Sequence, residues 1–280
     1  MQVQALRATV TATVRVGRCV AEAVVSSSPL GKYTREQWNT GAMASIESLL
    51  HRRTDLSTFV VHFTRDGQYG RARDNLISIL ANRKIEARTA YGMARHLAGM
   101  AGTIDSPQQV VCFSETPLEH AWMMCADIDG RSVSMSSYGV AFTKTFARRR
   151  GANPVWYIDQ TPGHDWLTQP IDKLIAKIEN GSATAEELGI LDIAPFMEQM
   201  GGVKEFWWER EWRHVGDMSF GVDDVVVIFA PESQHDYMRR VLHGTPRWRS
   251  QNPRIVDPGW GLERMIGALS EISDVGPFPR

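Results

Sequence analysis

Chemistry-bearing side chains are densest in Glu205-Phe206-Trp207-Trp208-Glu209-Arg210-Glu211-Trp212-Arg213. On a strand, alternate side chains share a face, so Glu209, Glu211 and Arg213 fall together with Trp207, while Trp208, Arg210 and Trp212 take the other face. Two carboxylates on one face beside an aromatic can divide labour. One stays ionised to stabilise a developing cation, and the other, raised in pKa, gives or takes a proton. The same pattern also fits an edge strand with cross-strand ion pairs, although the aromatic density argues against plain solvent exposure. His62 lies near the end of Thr58-Phe59-Val60-Val61-His62-Phe63, where a histidine serves either a site or a strand-end hydrogen bond. Cys112-Phe113-Ser114-Glu115-Thr116-Pro117 offers Ser114 and Thr116 as substrate contacts or as helix N-caps. Tyr138, Trp207 and Arg213 join Ser114 and Thr116 as candidate substrate-binding residues.

A second signal is clustered arginine. Arg71-Ala72-Arg73, Arg148-Arg149-Arg150 and Arg247-Trp248-Arg249 are local basic groups, with Arg83-Lys84, Arg52-Arg53 and Arg239-Arg240 beside them. Arginine forks suit phosphate, and nearby aromatics such as Tyr69, Phe146, Trp156, Trp248 and Trp260 can stack on unpaired or flipped bases. An ordinary arginine-rich surface has the same composition. His164-Asp165 and His235-Asp236 lack the spacing of a zinc helix, so no metal site is expected. Cys112 and Cys125 have no neighbouring CxxC partner and read as buried thiols. There is no GxGxxG and no GxxxxGK[ST] loop, which disfavours Rossmann and nucleoside-triphosphate chemistry.

The elements that must position these groups follow from the pattern. The chain has 280 residues, with 31 Lys and Arg against 32 Asp and Glu, a net charge of −1, and 43% apolar residues. Those averages exclude a disordered chain and a uniformly basic coat for nucleic acid. Three cysteines are too few for a disulfide framework, so a reducing cytoplasmic setting is expected. No run approaches a membrane span, and arginines at 7, 15 and 18 interrupt any secretory h-region. The punctuation predicts an N-terminal extension over 1–56 with a helix at 35–53. An α+β catalytic domain follows over 57–245, and a tail over 246–280 packs on it. Strands are expected at 58–63, 110–113, 138–142, 154–158, 206–215 and 224–229, with a basic turn between the third and fourth. Helices are expected after Asp74 as N-cap, over 117–126, over 170–200 with a break at Gly181-Ser182, and over 232–243. The fold class is thus α+β, a mixed, largely antiparallel sheet flanked by helices. Acidic residues gather around 115–129, 186–198 and 205–224, so near-neutrality reads as a basic binding face set against an acidic remainder.

The order VHFT, NLISILANRKIEAR, VCFSETPL, YGVAFTKTFARRRGANPVWYI and WEREWR resembles the AbiGi abortive-infection phage-resistance family over roughly residues 58–232. More remotely it is similar to the ADP-ribosyltransferase superfamily, including toxins that modify DNA. Those enzymes order an Arg or His, a Ser-Thr type motif and a Glu-x-Glu as His62, Ser114 with Thr116, and Glu209-x-Glu211 are ordered. The resemblance implies cleavage of an N-glycosidic bond through an oxocarbenium-like transition state. Glu209 and Glu211 then carry the chemistry, and His62 holds the sugar or the leaving base. Ser114-Glu115-Thr116 departs from Ser-Thr-Ser and a long insertion precedes Glu209, so a cofactor-free reading comes first. It is a DNA glycosylase excising a modified base from phage DNA. In that reading Arg71, Arg73, Arg148, Arg149, Arg150, Arg247, Trp248 and Arg249 bind nucleic acid. The alternatives are transfer of ADP-ribose from nicotinamide dinucleotide to DNA or protein, and an inert antitoxin that masks a toxin partner.

Overall fold

The computed structural model describes residues 54–98, 108–128, 131, 133–201 and 206–272. The chain divides into two compact units, Met1–Leu49 and Leu50–Arg280, and the second carries everything below. The helix expected at 35–53 lies outside the described residues. Twelve strands are described: Phe59–Phe63 (β1), Lys84–Ile85 (β2), Thr89–Ala90 (β3), Gln109–Ser114 (β4), Gly139–Thr143 (β5), Asn153–Pro154 (β6), Trp156–Asp159 (β7), Met197–Met200 (β8), Glu211–Val215 (β9), Met218–Ser219 (β10), Val225–Phe229 (β11) and Ile255–Val256 (β12). The helices are Ala72–Asn82 (α1), Ala121–Cys125 (α2), Lys144–Arg149 (α3), Thr168–Glu179 (α4), Ile190–Ile193 (α5), His235–Gly244 (α6) and Leu262–Leu269 (α7).

Eight strands form one sheet in the order β12-β11-β5-β1-β4-β9-β6, with β3 also on β4. Its pairings are antiparallel except for the parallel β11–β12 edge, so the fold is α+β with a mixed, largely antiparallel sheet. The central strands read as near-continuous apolar runs because both their faces are covered. On one face, Val60, Phe113, Phe142 and Ile228 pack against Leu76 and Leu80 of α1 and Met238 and Leu242 of α6. On the other, Val61, Phe63 and Phe229 meet Ala121 and Met124 of α2. Each fully buried Leu or Phe contributes about 1.5–3 kcal/mol, which locks helices and sheet together. A smaller cluster of Ile158, Ile171, Ile175, Ile178 and Met197 packs α4 on a separate two-stranded sheet, the parallel β7–β8 pair.

Four local expectations change. Asp74 sits in the first turn of α1, whereas Asp66 Oδ1 accepts the Ala72 N–H at 2.6 Å and caps the helix from the preceding loop. The basic turn after β5 is a helix, α3, N-capped by Thr143 Oγ1 accepting from Phe146 N–H at 3.1 Å. Residues 197–200, expected as helix, form β8, because pairing with β7 offers their backbone a partner that local periodicity does not reveal. The strand expected over 206–215 begins only at Glu211; Phe206–Glu209 is a 3₁₀ turn, and Arg210 adopts φ +47° between the two. In the tail, Ile255-Val256 extends the sheet as β12, and α7 follows. No helix among the described residues is long and apolar enough to cross a membrane.

Candidate functional site

A cleft of about 1090 Å³ opens between the β1–β4–β9 region of the large sheet and the β7–β8 pair. Antiparallel register explains which groups face it. Ser114 lies opposite Glu211, Cys112 opposite Arg213, and Phe113 opposite Trp212. Directly opposed residues share a face, so Ser114, Glu211, Cys112 and Arg213 line the cleft while Phe113 and Trp212 enter the core. His62 joins them from β1, its Nδ1 2.8 Å from the Cys112 carbonyl oxygen.

Arg213, only 1% exposed, is the hub of the wall. Its Nε and Nη2 donate to the two oxygens of Glu211 at 2.9 and 2.8 Å, Nη2 also reaches Glu198 at 3.0 Å, and Nη1 donates to the Pro195 carbonyl at 2.7 Å. Burial works against its charge, yet Glu211 and its other neighbours override that and hold the guanidinium above the usual arginine range. The Tyr157 hydroxyl donates to Glu211 Oε2 at 3.3 Å, and Arg95 holds the second oxygen of Glu198 at 3.0 Å. Glu211 is thereby a fixed carboxylate whose orientation is set by residues from β7 and β9. Gly92 completes this corner: its N–H donates to Glu198 at 3.3 Å, its φ is +93°, and a Cβ there would meet the Ala194 carbonyl oxygen at 2.1 Å.

Glu209 differs. Burial raises its pKa, the Arg131 guanidinium at 3.1 Å pulls it back, and the nearby Glu211 charge adds to the rise. Arg131 is itself covered and also donates to the Met124 carbonyl at 2.8 Å. One carboxyl is thus shifted toward its protonated form beside another held by a cation fork, an arrangement suited to acid catalysis next to cation stabilisation. Burial lowers His62, so its ring is neutral at pH 7, and the charge of Arg65 works in the same direction. Burial and the Glu211 charge push the Cys112 thiol well up, which removes it as a nucleophile near neutrality.

The cleft therefore gathers His62, Ser114, Glu209, Glu211 and Arg213. Although 206–210 is not a strand, the division of faces survives around it. Arg210 and Trp212 both reach the buried Glu115, at 3.1 and 2.9 Å, while Glu209 and Glu211 face the cleft. Trp207 departs from the expected face and is 57% exposed outside the cleft lining. Thr116 lines a separate pocket of about 310 Å³ with Glu115, Trp208 and Arg210. Tyr138 packs with the α1 side of the core near Arg73. Arg71, Arg73, Arg148, Arg149, Arg150, Arg247 and Arg249 do not line the cleft. Trp248 is 2% exposed and donates its indole N–H to the Leu80 carbonyl at 2.8 Å, so its ring is a core element and not a stacking surface.

Sequence reasoning named Glu209, Glu211 and Arg213 but missed the cleft's other charges. Arg65, Lys84, Arg88, Arg95, Arg131 and Arg213 line it together with Asp66, Glu86, Glu198, Glu209 and Glu211. The expected segregation of a basic face from an acidic remainder gives way here to interleaved pairs. Most of these arginines stand alone in the chain, so no run marks them. Glu115 was equally hidden, although its ion pairs with Lys144 at 2.8 Å and Arg210 at 3.1 Å tie β4 to α3 and to the entry of β9.

Among known proteins, a family model described as "Putative abortive phage resistance protein AbiGi, antitoxin" matches residues 82–239. That span holds Ser114, Thr116, Glu209, Glu211 and Arg213 and leaves β1 and His62 upstream of it. No curated protein and no solved structure matches the chain.

Proposed function

The chain belongs to the AbiGi family of abortive phage resistance proteins, and from that premise we propose that it acts in phage defence as an enzyme that cleaves an N-glycosidic bond in DNA. The observation that carries this reading is the Glu209–Glu211 pair, one carboxyl desolvated and shifted toward its protonated form, the other clamped by Arg213 and Tyr157. Perturbed titratable groups concentrated in a large cleft are a mark of catalytic sites. The cleft takes one nucleotide flipped from the stack, not a duplex. Glu209 donates its proton to the leaving base as the bond from the sugar carbon to the base nitrogen breaks. The Glu211 carboxylate stabilises the oxocarbenium ion that forms. A water then adds to the sugar carbon and returns a proton to Glu209, leaving free base and an abasic site. Neutral His62, anchored through Nδ1, offers Nε2 to a sugar hydroxyl or to the base. The process needs no cofactor.

The word antitoxin in the family description supports a second reading, a protein that masks a toxin partner. One experiment separates the readings. Purified protein is incubated with phage DNA carrying modified bases, with and without nicotinamide dinucleotide, and scored for free base, abasic sites and added mass. Base release in both tubes supports excision. A mass gain that requires the dinucleotide replaces it with ADP-ribosyl transfer, and no change in either tube leaves the antitoxin. Glu209→Gln and Glu211→Gln should each abolish release with folding intact; full activity in both refutes the site.

A further inference from the structure

Five of the six cations lining the cleft are already paired with carboxylates. Lys84 holds Asp217 at 3.0 Å, Arg88 holds Glu86 at 3.0 Å, Arg95 holds Glu198 at 3.0 Å, Arg131 holds Glu209 at 3.1 Å and Arg213 holds Glu211 at 2.8 Å. Arg65 has no carboxylate partner among the described residues; its guanidinium lines the cleft beside the Tyr91 phenol. The neighbouring Asp66 is turned away to cap Ala72. Tyr91 is held in place from behind, since the Arg213 guanidinium lies 5.1 Å from its ring centre. Arg65, Tyr91, Arg213 and the clamped Glu211 therefore all line the cleft, together with His62 and Cys112.

An uncompensated guanidinium beside a phenol O–H, with Arg213 behind, is a seat for an oxyanion. Nearer the opening, Tyr69 is 54% exposed and Arg88 lies 4.5 Å from its ring centre on the cleft wall, a flat platform that suits a nucleobase. An anion that also carries a base, in a cleft of about 1090 Å³, is a nucleotide.

We propose that Arg65 and Tyr91 form the phosphate subsite of the cleft, seating the phosphate of a nucleotide unit whose sugar reaches Glu211. This rests on the N-glycosidic reading for the role of Glu211, but the subsite is measured without it. The test is calorimetric titration of the full chain with the four common deoxynucleosides, their monophosphates and inorganic phosphate. The wild-type protein should bind at least one monophosphate about tenfold more tightly than its nucleoside, the factor for one charge-assisted hydrogen bond. Inorganic phosphate should compete with that monophosphate. Arg65→Gln should bring the preference to about one while nucleoside affinity stays within about twofold; Arg65→Lys should restore part of it, and Tyr91→Phe should reduce it. Circular dichroism and Tm of each variant confirm that the fold is unchanged. The proposal is overturned if no monophosphate binds, if none is preferred over its nucleoside, or if the preference survives Arg65→Gln. Base release from DNA is scored on the same preparations. Phosphate preference without release refutes excision and leaves the subsite standing, whereas release without preference refutes the subsite alone.

Discussion

Arg213→Met breaks the hub of the cleft wall. In the native protein the guanidinium makes two bonds to Glu211, one to Glu198 and one to the Pro195 carbonyl, all between 2.7 and 3.0 Å. The Glu211 and Glu198 side chains are only 14% and 16% exposed, so water replaces the lost partner poorly. Methionine fills the volume but leaves Glu211 with the Tyr157 hydroxyl alone and Glu198 with Arg95 and the Gly92 N–H. Removing one partner of a buried pair costs about 3–5 kcal/mol. For a domain of this size each kcal/mol moves Tm by about 2–4 °C, so the expected drop is about 6–20 °C. Arg213→Lys keeps a charge but loses the two-pronged geometry, so its loss should fall between wild type and methionine. The assay is urea unfolding of all three proteins at pH 7. A methionine variant within about 1 kcal/mol of wild type, or a lysine variant no more stable than methionine, would refute the electrostatic account of this wall.

Four further outcomes are expected. Because Glu209 must be protonated to donate and its pKa is raised by burial, base release should decline as pH rises through that value, and Glu209→Gln should cost at least about 100-fold; a pH-independent rate between pH 5 and 8 contradicts its role. Gly92→Ala should destabilise by at least about 2 kcal/mol in chemical denaturation, since it combines a positive φ with overlap on the Ala194 carbonyl. Cys112, with its thiol pushed up, should resist iodoacetamide at pH 7.5 in the native protein and react after unfolding, as read by peptide mass spectrometry; rapid native labelling speaks against the raised thiol pKa. Trp248→Phe should lower stability by about 1–3 kcal/mol through loss of the bond to Leu80 while DNA affinity stays unchanged, and reduced affinity at unchanged stability would return Trp248 to a binding role.

The residues themselves determined the central strands and the two carboxylates. Val60-Val61, Val140-Ala141-Phe142 and Val227-Ile228-Phe229 are apolar on consecutive positions, a pattern that suits strands covered on both faces. Glu209 and Glu211 were legible as a carboxylate pair among four aromatics, although the strand alternation that put them on one face holds only from Glu211 onward and Glu209 reaches the cleft from the preceding 3₁₀ turn. Other features depended on distant partners. The 3₁₀ turn before β9 and the positive φ of Arg210 are held by Glu115 and the Asp55 carbonyl, 95 and 155 residues away in sequence. Strand β8 exists because β7 lies beside it, and the cap on α1 comes from a loop aspartate, not from the helix itself. The arginine runs, conspicuous in the chain, lie off the cleft, whereas Arg65, Arg88, Arg95, Arg131 and Arg213 meet there from five separate segments. Local periodicity and side-chain type fix which faces must be buried. Only tertiary packing decides which isolated charges come within a few ångströms of one another, because that distance is set by sheet register and loop closure over many tens of residues, and on it depends which carboxyl keeps its proton.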